Sequence, residues 1–216
     1  MSSSMSSTKL SHDELWPRAG GWAQPAGERT DLTIVGVPTS RTSLSPTNAH
    51  ETPAAIRDAL RRYSTHIVAP GAPGHRGGEN EIVLHESLSI ADAGDLADPD
   101  TEAGEETAAK RIAELAAQAD LVVALGGDNA CTVPAALGVA EAHGGLANAG
   151  LITLDAHHDL RDGRSNGSPV RRLIEMGLNP RRVVQIGIAD FANSQAYRQR
   201  AKDLGITVIH RDELHD

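Results

Sequence analysis

The sequence predicts an α/β protein: a mainly parallel sheet with a layer of helices on each side. Two observations predict it. Short β-branched runs alternate along the chain with longer Ala-rich, charged segments, the order that parallel strand–helix–strand units produce. The runs are also continuously apolar rather than alternating in polarity, as strands covered on both faces are.

Taken in order, LTIVGV (32–37), LVVAL (121–125), LITL (151–154), VVQIGI (183–188) and ITVI (206–209) are the expected strands. Between them PAAIRDALRRYS (53–64), GEETAAKRIAELAAQA (104–119), VPAALGVAEAH (133–143), PVRRLIEMG (169–177) and ANSQAYRQRAKDLG (192–205) have helical composition. Proline stands near several of their starts, where its missing N–H is unneeded, and glycine at several ends. Right-handed crossovers would lay these helices on one open sheet. Residues 70–80 and 94–104 are Gly/Pro- or Asp-rich and are expected as surface loops. Residues 1–30, rich in Ser, Gly, Pro and charge, are expected as a flexible arm, and 31–216 as one domain.

Composition narrows the partners. A formal net charge of -9 offers no basic face to nucleic acid or an anionic membrane. The lone cysteine, Cys131, cannot form an internal disulfide and fits a reducing compartment. The apolar runs are strand-sized, too short to span a bilayer, and MSSSMSSTKL lacks the apolar core of a signal peptide. The expectation is a cytoplasmic protein acting on a small molecule, most simply as a homo-oligomer.

Ligands of an open parallel sheet bind at the carboxyl ends of the strands. LITL runs directly into Asp155-Ala156-His157-His158-Asp159. In an extended segment Asp155, His157 and Asp159, at i, i+2 and i+4, project to one side, and His158 to the other, where a structural role is expected. Two carboxylates and an imidazole at a strand end suit a divalent first-row metal. The plainer alternative is that they solvate a loop or cap the next helix. LVVAL runs into Gly126-Gly127-Asp128-Asn129. The glycines permit a sharp turn and close backbone approach, but no G-x-G-x-x-G or Gly-Lys-Ser/Thr accompanies them, which argues against a nucleotide.

Gly-Gly-Asp-Asn at 126–129 followed by Asp-Ala-His-His-Asp at 155–159 resembles the first two signatures of the ureohydrolases, the family of arginase, agmatinase and formimidoylglutamase. GVPTS (36–40), ETPAAIRDAL (51–60), the DAGDL turn (92–96) and VVQIGIADF (183–191) extend the resemblance over residues 31–213. It implies an arginase-like three-layer fold and two manganese ions. Asp155 would bridge both, Asp159 complete the first ion's shell and His157 bind the second. Through the activated water these three would be the catalytic residues, acting on a guanidinium or formimino carbon.

Two departures qualify this. Asn129 stands where the family has a histidine ligand, and a carboxamide oxygen is a weaker donor than imidazole. The ion there would be held loosely, through a water, or lost; Asn also simply suits a turn. The family's third signature, Ser-x-Asp-x-Asp-x-x-Asp, does not occur in residues 1–216, and Asp212, Glu213 and Asp216 lie too early to replace it. The resemblance therefore implies a longer natural product, a remnant, or a contribution from a partner chain.

The stretch DLRDGRSNGSPVRRLIE (159–175) resembles formimidoylglutamases more than arginases, whose histidine falls at Asn166 here. Arg161 and Asn166 are the expected substrate-binding residues. Arg164 and Arg171 are further guanidinium groups suited to a carboxylate, and Arg172 is expected on a helix surface. The implied reaction is N-formimino-L-glutamate to glutamate and formamide, in histidine degradation. The alternatives are an agmatinase or guanidino-acid hydrolase, or a catalytically silent subunit kept for binding or assembly.

Overall fold

A computed structural model describes residues 12–21, 23–26, 29–68 and 81–214. The elements are β1 (Gln24–Pro25), β2 (Thr30–Val37), α1 (Thr52–Leu60), β3 (His66–Val68), β4 (Glu81–Val83), α2 (Leu84–Ser87), β5 (Ile90–Asp95), α3 (Glu102–Ala116), β6 (Ala119–Gly126), α4 (Thr132–Ala142), β7 (Leu151–Leu154), α5 (Pro169–Glu175), β8 (Val183–Ile188), α6 (Gln195–Leu204) and β9 (Thr207–His210). All five expected strands and all five expected helices are present within a few residues of their expected bounds. None of the helices among the described residues is long and apolar enough to cross a membrane.

The strands pair in parallel as expected, but the described ones form two sheets rather than one. β1, β5, β2 and β6 lie side by side in that order, and β7, β8 and β9 form the second sheet. A short antiparallel ladder of β3 and β4 stands apart. β6 pairs only with β2, and β7 only with β8, among the described residues. Helix α4, between them in sequence, packs on α3 at the first sheet and on α5 at the second. The core divides accordingly: Val35 and Val37 of β2 meet Ile112 and Leu115 of α3, while Val133 of α4 joins Leu160, Val170, Leu173, Val183, Ala201 and Ile206. With aromatics at 2%, these aliphatics carry the packing, each fully buried side chain stabilising by about 1.5–3 kcal/mol.

Four expectations are corrected. β2 is buried on both faces, but β7 is not: Ile152 is 64% and Leu154 83% exposed, on one side of the strand. The DAGDL turn is mostly strand. IADAGD has few β-formers, so its pairing with β1 and β2 defines it rather than its own propensity. The loop expected at 94–104 ends early, because Thr101 accepts from the Gly104 N–H (3.0 Å) and caps α3. Within the expected arm, Ala19 is buried, donates its N–H to the Tyr63 carbonyl (2.9 Å), and β1 joins the sheet, so this part is docked. Residues 1–11, and the loop expected at 70–80 from position 69 on, lie outside the described residues.

One ion-pair cluster locks α1 to the sheet. Arg57 grips Asp92 with two bonds, Nε–Oδ2 at 2.7 Å and Nη2–Oδ1 at 2.8 Å, and also reaches Asp95. Asp95 sits so close to Gly36 that a Cβ there would lie 1.8 Å from its Oδ1, so only glycine fits. Burial pushes the Asp92 carboxyl up, but the Arg57 guanidinium and the Gly94 N–H together outweigh this and hold it below the usual carboxylate range.

Two outcomes follow. A depressed carboxyl stabilises the fold fully above its unfolded value, about 3.9, and the stability is lost as pH falls through the folded value. Arg57→Met should cost about 1–3 kcal/mol at pH 7, between exposed and buried pairs, and flatten or reverse the loss of stability below pH 4 in urea unfolding. An unchanged pH profile would remove the pair's role. Separately, the open edges and apolar face of β6 and β7 should make the 216-residue chain associate. Ile152→Lys with Leu154→Lys should reduce light scattering with little change in unfolding midpoint; equal scattering would place the sticky surface elsewhere.

Candidate metal centre

Two strand ends from different sheets meet at the cleft. At the end of β6, Gly127 passes under the loop that follows β2. Its N–H donates to the Val37 carbonyl (3.0 Å), and a Cβ on it would lie 2.0 Å from the Thr39 carbonyl oxygen. Thr39 also donates its hydroxyl to the Asp128 carbonyl (2.8 Å). Glycine here is demanded by close approach. Asp128 is committed to structure: its carboxylate accepts from the Ala130 N–H (3.0 Å) and from the Ser43 hydroxyl. Burial, with the Asp128 charge adding to it, pushes the Cys131 thiol up to about 11, so it is no nucleophile at neutral pH.

Asn129 lies beside the second strand end. Its carboxamide nitrogen donates to the Asp159 carboxylate, and its oxygen accepts from the Thr132 hydroxyl (2.8 Å). Asp155 follows β7 and is half-buried; its Oδ1 accepts from the His157 N–H (2.8 Å) and lies 3.2 Å from His157 Nδ1. Segment 155–159 is not extended, as the i, i+2, i+4 argument assumed. Asp159 turns with φ +55°, a left-handed conformation rare outside glycine. Asp155, His157, Asp159 and Asn129 nonetheless line the same cleft, of about 610 Å³.

Asp159 is the most perturbed group there. Burial, and secondarily the Asp155 charge, push its carboxyl up to about 7, opposed by Asn129, His157 and Arg161. Asp155 and Asp159 line one cleft, with the neutral Asn129 amide bonded to Asp159, and a cation there would offset their charge. Among the described residues, however, no group of three or more His, Cys, Asp or Glu side chains is gathered as a ready metal shell. His157 is the most exposed of the three sequence-predicted ligands, its side chain 59% exposed. His158 is buried and its ring is hydrogen-bonded to Gln185.

The arginines separate clearly. Arg161 lines the cleft, and its guanidinium has no hydrogen bond or ion pair among the described residues. Asn166 also lines it and accepts from the Leu44 N–H (3.2 Å). Arg164 does not face a ligand: it donates to the Thr101 carbonyl (2.9 Å) and Glu105. Arg171 is spent on the Arg161 and Gly163 carbonyls and on Glu175. Arg172, expected on a helix surface, grips Glu105 at 2.8 and 2.6 Å with its side chain 13% exposed. Sequence reasoning missed two walls of the cleft, Ser43 to Thr47 and Asn193 to Tyr197. Both follow strand ends, β2 and β8, so the rule that led to Asp155 could have found them.

The arginase family's model matches residues 30–216. The chain is 35% identical over 201 residues to a formimidoylglutamase of Halalkalibacterium halodurans, covering 88% of this chain and 58% of that protein. The solved formimidoylglutamase of Bacillus subtilis superposes with a TM-score of 0.79 at 25% identity, over 99% of this chain and 65% of that one. A Trypanosoma cruzi formiminoglutamase solved with Mn2+ has the same fold, with TM-score 0.77 at 23% identity, over 92% and 66% of the two chains. The chain thus spans between half and two thirds of each relative. The Gly-Gly-Asp-Asn and Asp-Ala-His-His-Asp strand ends, met at one cleft, are those of a member of the arginase family, and to that family this chain belongs.

Proposed function

We propose that the cleft is the larger part of a binuclear manganese centre that hydrolyses the C–N bond of N-formimino-L-glutamate, giving glutamate and formamide. The observation that carries this reading is the convergence of Asp155, His157, Asp159 and Asn129 on one cleft that Arg161 also lines. The similarity to formimidoylglutamases, one of them solved with Mn2+, supports the substrate and the metal. Asp155 would bridge the ions, Asp159 and Asn129 serve the first and His157 the second; hard oxygen donors and imidazole suit manganese. When bound, the metal pair supplies Lewis-acid activation of water and of the amidine carbon. Arg161 pairs with a substrate carboxylate, and Asn166 braces the 42–44 segment at the cleft wall. A catalytically silent subunit is the second reading, favoured by Asn129 standing where the family has a histidine ligand, with its oxygen already accepting from the Thr132 hydroxyl.

Among alanine variants, Asp155→Ala should lose the most bound manganese, because a bridging carboxylate serves both ions. Metal analysis of each variant tests this, and unchanged manganese in Asp155→Ala would end the assignment. Residues 1–216 alone should release formamide only at trace rates, since three ligands and one amide must serve two roughly six-coordinate ions; full turnover would refute that ligand count.

For Asn129 to ligate, its carboxamide must turn over, losing its bond to Asp159 and reversing the one with Thr132. Imidazole needs no such exchange, so Asn129→His should tighten manganese binding in a calorimetric titration. Equal affinity in a folded variant would mean that position 129 does not face the ions.

A further inference from the structure

Segment 155–159 carries the candidate ligands with neither helix nor strand to hold it, so its geometry must come from behind. The Asp155 N–H donates to the Ile186 carbonyl and the Ala189 N–H to the Ala156 carbonyl, both at 3.0 Å. Next to these, Gln185 of β8 is fully buried and gives both ends of its amide to one residue. Its Nε2 donates to the His158 carbonyl (2.8 Å), and its Oε1 lies 2.7 Å from His158 Nδ1. An amide oxygen only accepts, so His158 Nδ1 carries the proton. Asn193 completes the brace. Its Oδ1 accepts from the His158 N–H (3.0 Å), and its Nδ2 donates to the carbonyls of Ala156 (2.8 Å) and Ala189 (3.0 Å).

His158 is thereby held at its N–H, its carbonyl and its ring, between the two flanking ligand candidates His157 and Asp159. The arrangement is not the easiest way to fill a core. His158 Nε2 is buried without a partner among the described residues, a desolvation cost that an aliphatic pair would avoid. We propose that Gln185 is a positioning residue for the metal loop: by fixing the Nδ1-protonated form and the orientation of His158, with Asn193 as the second brace, it aims Asp155, His157 and Asp159 into the cleft. This rests on the manganese reading above.

The test uses the 216-residue chain labelled with nitrogen-15. In the metal-free chain, long-range nitrogen–proton correlation should show His158 in the Nδ1–H form, and amide exchange should be slow at Asp155 and His158. Asn at 158 can place an amide nitrogen where Nδ1 lies; Gln would place its amide near Nε2. His158→Asn should therefore keep a manganese dissociation constant close to the parent's. His158→Gln and Gln185→Leu should weaken binding by about tenfold or more, as loss of a ligand-orienting partner does. Amide protection should then be lost at His158 but kept at Asp155. Parent-like affinity in Gln185→Leu, equal affinity in His158→Asn and His158→Gln, or an Nε2–H ring would each overturn the proposal. If Gln185→Leu does not fold, the two His158 variants decide. A parent that takes up no manganese would refute the metal reading instead, and the ring form and amide exchange at His158 would still judge the brace.

Discussion

The two sheets whose strand ends form the cleft are tied together by Glu105. Its carboxylate, on α3 of the first sheet, accepts two bonds from Arg172 of α5 and one from Arg164 in the loop after β7. Asn129 arrives from the first sheet and Asp155 and Asp159 from the second, so their separation depends on this tie and on the apolar packing of α4 beside it. With its partners largely buried, the cluster is geometrically exacting: removing one member would strand a charge, whereas a surface pair would cost little. Burial and the Glu105 bonds work against each other on Arg172, and the bonds win, holding its guanidinium charged.

This explains where the sequence was informative and where it was not. Elements whose own residues decide their form were legible: LTIVGV as a strand buried on both faces, or GEETAAKRIAELAAQA as a helix. β5 was not, because IADAGD becomes a strand only through neighbours far away in sequence. Ile152 and Leu154 were misread because a continuous apolar run says nothing about whether a neighbour covers it.

Side-chain chemistry was legible in kind but not in commitment. Asp155, His157, Asp159, Arg161 and Asn166 do line one cleft. Yet only the fold decides that Arg164, Arg171 and Arg172 are consumed by Glu105, Glu175 and carbonyls, while Arg161 has no such partner among the described residues. Gln185 and Asn193 could not be picked out at all. A glutamine inside an apolar strand and an asparagine after it look like background until their carboxamides are seen meeting at His158.

The left-handed turn at Asp159 narrows what this position can become. Most side chains pay for φ near +55°, and β-branched ones most heavily, so the backbone admits glycine, asparagine and aspartate with least strain. Of those three, one is charged. Conformation and charge thus act as two independent filters on a single site, and a conservative exchange to glutamate passes the second while failing the first.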